Sequence, residues 1–178
     1  MNEIVVNSPI LEKYIKENYP KYSFISSTTK CLNKENFKEE LKKDYKMICL
    51  DYNLNHNFDL LDSLSIEEKD KCEFLINAIC PPGCPNRKEH YKLNSLYHLN
   101  YCKKYHIDCG IKDNTLSNQK ITNNISPEEI LNIYSKKGFK YFKIEGRTLS
   151  KIENACNYVK YMIKPEYQLY VLTQFINP

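Results

Sequence analysis

Residues 3–26 read EIVVNSPILEKYIKENYPKYSFIS, and this stretch carries the pattern of one β-α-β unit. The apolar run at its start predicts a strand. Ser8 and Pro9 follow it as a helix N-cap and a proline at the first helical position. An apolar stripe at helical spacing then ends before Pro20, and residues 22–26 predict a second strand. Two strands joined through a helix predict a parallel pair.

The same alternation continues along the rest of the chain. Further strands are predicted at residues 46–52, 72–77 and 141–145, with helical patterns between them and after the last one. Strands that alternate with helices in this way form right-handed β-α-β units around a parallel sheet. We therefore expect a single α/β domain over residues 1–178, with a parallel sheet of about five βα units.

Composition excludes some classes of protein. Hydrophobic residues make up 42% of the 178 residues, which is too many for a disordered chain. No run of about 18 apolar residues exists that would span a membrane. The start Met1-Asn2-Glu3 has no basic segment followed by an apolar one, as a secretory signal would have. We expect a cytoplasmic protein without a membrane partner.

The formal net charge of +4 raises the question of nucleic-acid binding. The cations are almost all lysines interleaved with glutamate and aspartate, a pattern typical of solvated helix faces. Nucleic acid is therefore the weaker hypothesis for a partner. Salt-sensitive retention on heparin or RNA would support it.

Polar side chains stand where each predicted strand ends. In parallel α/β folds the chemistry gathers at the C-terminal ends of the strands. The alternative is that strands end in loops and loops are polar. The residues at these ends are Asn7, Ser26, Asp51, Asn53, Asn77, Glu145 and Arg147.

Eight cysteines are present, and without a secretory signal their even number does not argue for disulfides. Cys49 and Cys156 lie in apolar patterns, so we predict that both are core residues. Four others cluster within thirty residues and are candidates for chemistry: Cys80, Cys84, Cys102 and Cys109.

Prolines and a glycine between Cys80 and Cys84 predict a compact turn that brings two thiolates together. Thiolates are soft ligands that suit zinc or an iron–sulfur cluster. Such a site needs further ligands, and Cys102 and Cys109 are the first candidates, with His90 and His98 as substitutes. Two alternatives stay open, namely buried thiols in a tight turn and a redox pair.

The only two arginines, Arg87 and Arg147, come just after the fourth and fifth predicted strands. In a chain that otherwise uses lysine, a retained arginine indicates a need for a planar fork that binds a carboxylate or phosphate. We predict that they orient an anionic substrate. Structural ion pairs explain them equally well, and Arg147 could pair with Glu145 or Asp51.

Residues 77–91 and 142–147 together resemble the U32 peptidase family of collagenase-like proteins, with weaker support from residues 26–28 and 50–53. The resemblance implies a (β/α)8 barrel that bears an iron–sulfur cluster on cysteines. It also implies activity in protein degradation, or in oxygen-independent hydroxylation of RNA bases or quinone precursors. A complete barrel has eight strands. Five predicted strands would correspond to the later βα units of a partial TIM-type barrel.

In this interpretation the protein is an enzyme or enzyme subunit with a [4Fe–4S] cluster, or a zinc ion, on the four clustered cysteines. The predicted catalytic residues are Asp51, Glu145 and Arg147, with Asp51 or Glu145 as the acid or base. Asn77 and Arg87 are predicted to bind a small or anionic substrate. The alternative is a non-catalytic module that forms a homo-oligomer or completes a partner's sheet, because uncovered edge strands invite pairing.

Overall fold

A computed structural model describes residues 2–78, 80–103, 123–146 and 149–176, with a five-stranded parallel sheet at the centre. The strands lie side by side in chain order, each hydrogen-bonded to the next in sequence. The predicted α/β class and all five predicted strands are confirmed. The strands are β1 (Glu3–Val6), β2 (Ser23–Ser26), β3 (Met47–Cys49), β4 (Cys72–Leu75) and β5 (Tyr141–Lys143).

Helices connect the strands, and their start points follow local capping signals. Ser65, Ser126 and Ser150 each begin a helix with a capping box, in which the serine and a glutamate three residues later satisfy each other's backbone N–H groups. Within the described ranges, none of the helices has both the length and the apolar character needed to cross a membrane. The helices are α1 (Pro9–Asn18), α2 (Lys34–Leu41), α3 (Phe58–Asp62), α4 (Ile66–Lys69), α5 (Arg87–His98), α6 (Pro127–Glu129, continued by a wider turn over Ile130–Tyr134), α7 (Lys151–Met162) and α8 (Pro165–Ile176).

One face of the sheet forms the main core. Side chains alternate across a strand, so every second residue faces the helices. At the centre of this core the ring of Phe74 lies 5.1 Å from the Tyr134 ring and 5.0 Å from the Phe139 ring, both edge to face. The sheet residues buried on this face are Val6, Phe24, Ile48, Cys72, Phe74 and Ile76.

The opposite face of the sheet buries fewer apolar residues and carries charge. Cys49 and Leu75 are buried there beneath Tyr52 and Ala78, which come from the segments after β3 and β4. The ammonium of Lys143 donates a 3.1 Å hydrogen bond to Glu73 on the same face. The segments that follow β3 and β4 therefore cover this face near the C-terminal ends of the strands, where the candidate site lies.

The sheet is open rather than closed. Among the residues that the structure describes, β1 and β5 each have one paired neighbour and do not pair with each other. Two free strand edges therefore remain in this part of the chain.

The prediction that Cys156 is a core residue is wrong, whereas Cys49 is buried as expected. Helix α7 packs inward through Val159 and Tyr161. The Tyr161 hydroxyl donates to the backbone oxygens of Ile76 at 3.2 Å and Ile125 at 3.1 Å. Cys156 lies one turn before Val159 and is exposed, so the buried part of α7 begins after it.

Candidate functional site

The C-terminal edge of the sheet is organised around a buried ion pair between Asp51, just after β3, and Arg87, the first residue of α5. Arg87 Nη1 donates to Asp51 Oδ1 at 2.9 Å, and Arg87 Nη2 lies 2.7 Å from Asp51 Oδ2. The two side chains are only 4% and 5% exposed. Parallel N–H···O contacts of this kind are the strongest geometry for an arginine and a carboxylate.

Further contacts hold the guanidinium group in place. Arg87 Nη2 also donates to the backbone oxygen of Thr28 at 3.0 Å, which ties α5 to the segment after β2. The guanidinium carbon lies 4.0 Å from the ring centroid of Tyr52 and 5.6 Å from that of Tyr91. Burial by itself lowers the pKa of Arg87, but the hydrogen bonds and charge of Asp51 outweigh it and raise the pKa above its usual value. Arg87 therefore stays charged.

The ion pair occupies the polar atoms of Asp51 and Arg87, two residues that were predicted to act on a substrate. Both carboxylate oxygens of Asp51 accept from Arg87, and Oδ1 also accepts from the backbone N–H of Asn53 at 2.9 Å. Both terminal nitrogens of Arg87 are occupied as well. In this structure the two residues join three segments of the sheet edge. For Arg87 this pairing is the structural ion pair that was the alternative to binding a substrate.

Asn53 connects the segment after β3 to the cysteine-containing turn. Its Oδ1 accepts from the backbone N–H of Gly83 at 3.0 Å and from Asn123 Nδ2 at 2.8 Å. Gly83 has φ +65°, in the left-handed region that glycine adopts without strain. The turn between Cys80 and Cys84 is therefore fixed to β3 on one side, and Arg87 fixes it on the other.

The structure places Cys80 and Cys84 in one turn, and among the described residues it brings no third predicted ligand to them. Burial raises the pKa of the Cys80 thiol, and this outweighs the hydrogen bond from Tyr52, which lowers it. Cys102 lies beyond the end of α5, where its Sγ is 3.8 Å from the backbone oxygen of Leu93. Cys109 lies outside the described residues.

We asked whether these residues fit the iron–sulfur cluster or zinc ion that the family resemblance implies. The donor type fits, since Cys80 and Cys84 are sulfur ligands in one turn. The number does not: in the ranges that the structure describes, no group of three or more His, Cys, Asp or Glu side chains is placed to hold a metal ion. The described residues by themselves therefore do not make a complete cluster or zinc site.

Asn77 links the ends of β4 and β5. Its Nδ2 donates to the backbone oxygen of Glu145 at 2.8 Å, and its Oδ1 accepts from the backbone N–H of Glu145 at 2.6 Å. The amide of Asn77 thus extends the sheet pairing by one residue. The Glu145 side chain is close enough to Cys80 to act on its pKa, and Arg147 lies outside the described residues.

Cys31 is a residue of this site that the sequence reasoning missed. It lines a cavity of about 340 Å³ that opens beside the ion pair, together with Asp51, Asn53, Cys84 and Arg87. Its backbone is left-handed, with φ 52° and ψ 52°, which is uncommon for a residue other than glycine. Burial raises the pKa of its thiol. No sequence signal connects Cys31 with Cys84, because they are 53 positions apart in the chain.

A second polar cluster lies on the β1 and β2 side of the same edge and was also missed. Glu40 of α2 is 3% exposed and accepts hydrogen bonds of 2.6 Å from Ser26, Lys30 and Lys43. Burial by itself raises the pKa of Glu40, but these hydrogen bonds lower it to about 2. All the charged partners belong to the chain itself, so we interpret this cluster as structural.

No protein-family model, curated protein or solved structure matches this chain. The resemblance to the U32 peptidase family therefore stays a prediction that rests on residues 77–91 and 142–147.

Proposed function

We propose that this chain is a U32-peptidase-like protein that holds a [4Fe–4S] cluster or a zinc ion at the C-terminal edge of its sheet. It would be an enzyme or enzyme subunit of the peptidase or hydroxylase class, built on the later βα units of a partial TIM-type barrel. Cys80 and Cys84 supply two of the ligands in this proposal. Cys102 and Cys109 are the proposed source of the others.

One observation carries the proposal, namely that the turn with Cys80 and Cys84 is held in place from both sides. Asn53 binds its backbone at Gly83, and the Arg87–Asp51 ion pair fixes the start of α5, three residues after Cys84. A turn whose only role was to connect β4 with α5 would not need a buried, bidentate ion pair at its end. Two sulfur ligands in a preorganised turn bind a metal with a smaller loss of conformational entropy.

The order of the strands in the sheet also supports the proposal that the fold is part of a barrel. Five parallel strands in the order β1-β2-β3-β4-β5 are the arrangement that successive βα units of a TIM barrel produce. In such folds the site lies at the C-terminal ends of the strands, which is where the ion pair and the cysteine turn lie.

Metal analysis of protein purified without oxygen tests the proposal. We expect bound iron with acid-labile sulfide and absorbance at the violet end of the visible spectrum, or else bound zinc without colour. Cys80→Ser should lose the metal. Cys156→Ser is the matched control, because Cys156 is exposed on α7, and it should keep the full metal content. Wild-type protein without iron or zinc, or equal metal content in the two variants, would contradict the proposal.

A second candidate function is a non-catalytic module that associates with a second copy of itself. The observation that favours it is the set of large apolar side chains on α8 that are more than half exposed: Tyr167, Leu169, Tyr170 and Phe175. Together with the free edges of β1 and β5, these suit an interface.

Sedimentation or light scattering tests this second function. A dimer that dissociates in Leu169→Glu, but not in the control Leu131→Glu, would support it; Leu131 is a similarly exposed leucine on another element. If the wild-type protein stayed monomeric at all concentrations, self-association would be contradicted.

A further inference from the structure

Two asparagine side chains hold the backbone that follows β5. Asn77, at the end of β4, binds both the backbone N–H and the backbone oxygen of Glu145. Asn154 lies in the first turn of α7, and its Nδ2 donates to the backbone oxygens of Gly146 at 2.9 Å and Leu149 at 3.1 Å. The backbone at residues 145 and 146 is therefore fixed to a strand and to a helix at once.

Gly146 is required by lack of space and not by its backbone conformation. Among the described glycines, only Gly83 and Gly138 have a positive φ. An alanine could therefore adopt the backbone angles of Gly146. A Cβ atom added there would lie 2.2 Å from Asn154 Oδ1 and 3.2 Å from its Cγ, and the first distance is too short for a real contact. A side chain at position 146 would displace the Asn154 amide.

The Asn154 amide keeps this place although one of its polar atoms loses by it. Its Oδ1 is buried and has no hydrogen-bond partner among the described residues. An amide oxygen that is buried without a donor is costly, and native structures contain few of them. Asn154 as a whole is only half-buried, so another rotamer could bring its oxygen to water. The contact with the loop backbone outweighs that gain.

Glu145 is the residue that this arrangement places. Its carboxylate interacts electrostatically with the thiol of Cys80 and the hydroxyl of Tyr91, so it lies near the cysteine turn. In the described ranges, the hydrogen bonds of Asn154 end on the backbone of residues 146–150. Asn154 therefore reaches the cysteine turn through the backbone that it holds.

We propose that Asn154 is a positioning residue, which acts through Gly146 to hold the Glu145 carboxylate at the cysteine turn. The inference rests on the proposed function, in which Glu145 is a predicted acid or base, and deepens it by naming what orients that group. A group that acts on a substrate has to be held within about 0.5 Å of its productive position. Asn77 and Asn154 restrain the backbone at Glu145 and at the next residue.

Urea unfolding of Gly146→Ala, Asn154→Ala and the double variant tests the contact. Asn154→Ala removes the hydrogen bonds, and Gly146→Ala displaces the amide that makes them. Each should raise the equilibrium constant of unfolding by about five- to tenfold. The double variant should lose no more than either single variant, because all three lose the same contact.

Asn157→Ala is the matched control for this cycle. Asn157 lies on the same helix, and its Nδ2 donates at 3.1 Å to the backbone oxygen of Glu153 within α7. Its replacement leaves the loop contact in place. The equilibrium constant of unfolding should therefore change by less than about threefold.

Amide NMR spectra of the full chain test the positioning itself. Glu145→Gln removes the carboxylate charge and should shift the amide signals of Cys80 and Gly83 in the cysteine turn. Asn154→Ala should shift the same signals in the same direction, whereas Asn157→Ala should leave them in place. Asn154→Ala added to Glu145→Gln should shift them little further. A role of Asn154 in stability alone would not move these signals.

The outcomes separate this inference from the metal proposal. Additive losses in the unfolding cycle would overturn the inference, and so would cysteine-turn signals that stay in place in Asn154→Ala. Neither measurement needs bound metal, so both can fail in a protein that binds iron or zinc. Asn154→Ala should keep the full metal content, because it leaves the cysteines unchanged. Absence of metal from the wild-type protein would contradict the proposed function instead.

Discussion

Removal of one partner of the Asp51–Arg87 ion pair should destabilise the fold strongly. In Asp51→Asn the amide oxygen can still accept from the backbone N–H of Asn53, so the turn after β3 keeps its local cap. The change leaves the guanidinium of Arg87, 4% exposed, without its counter-charge. A buried charge left without its partner costs about 3–5 kcal/mol. That is a large share of the roughly 5–15 kcal/mol by which domains are stable.

Urea unfolding of a double-mutant cycle measures this effect. Asp51→Asn and Arg87→Met should each lower the free energy of unfolding by about 3–5 kcal/mol. Methionine keeps an unbranched apolar chain against the ring of Tyr52, which lies 4.0 Å from the guanidinium carbon. The double variant buries no unpaired charge, so its loss should be smaller than the sum of the single losses by about 2 kcal/mol or more.

The surface pair Glu39–Lys42 is the matched control. Its N···O distance is 2.6 Å, as short as in the buried pair, but its side chains are 66% and 69% exposed. Glu39→Gln should therefore cost less than about 1 kcal/mol. If Asp51→Asn cost as little as this control, or if the two site mutations were additive within about 0.5 kcal/mol, the reasoning from burial would be refuted.

Three further predictions follow from the packing and the polar contacts. The pKa of Glu40 falls from 4.5 to about 2 on folding, so its ionised form stabilises the fold by about 3 kcal/mol. This contribution is complete above about pH 5 and is lost as the pH falls towards 2, so the stability difference between wild type and Glu40→Gln should shrink over that window. Asn77→Ala should cost about 1–3 kcal/mol and speed amide exchange at Glu145, while Asn77→Asp, which keeps the acceptor oxygen, should retain protection of that amide. Phe74→Ala should lower the free energy of unfolding by about 3–5 kcal/mol, because it empties the centre of the main core; a loss below 1 kcal/mol would contradict the packing described.

Much of the fold could be predicted because its signals are local. The strand at residues 3–6, the N-cap at Ser8 and the capping box at Ser126 each depend on residues within four positions of one another. Alternation of such elements limits the topology to a parallel sheet. The rotation of α7 was not predictable in this way, because the contact of Tyr161 with Ile76 joins residues 85 positions apart.

The sequence predicted where the candidate site lies, but not which of its side chains bind one another. Polar residues at strand ends predicted a shared edge of the sheet, and Asp51, Asn77 and Arg87 all lie at that edge. Which of them bind one another depends on how β3, β4 and α5 pack. That packing makes Arg87 a partner of Asp51 instead of leaving it free for a substrate.

The amino-acid order by itself determined five strands, their helical connections and the turn that carries Cys80 and Cys84, since these follow from backbone preference and short-range hydrogen bonding. Only the tertiary structure decided that Cys31 shares a cavity with Cys84 and that Asp51 binds Arg87. Those relations join residues that are 53 and 36 positions apart. They are settled by burial, which forces each charged group either to find a partner or to remain at a surface that water or a ligand can reach.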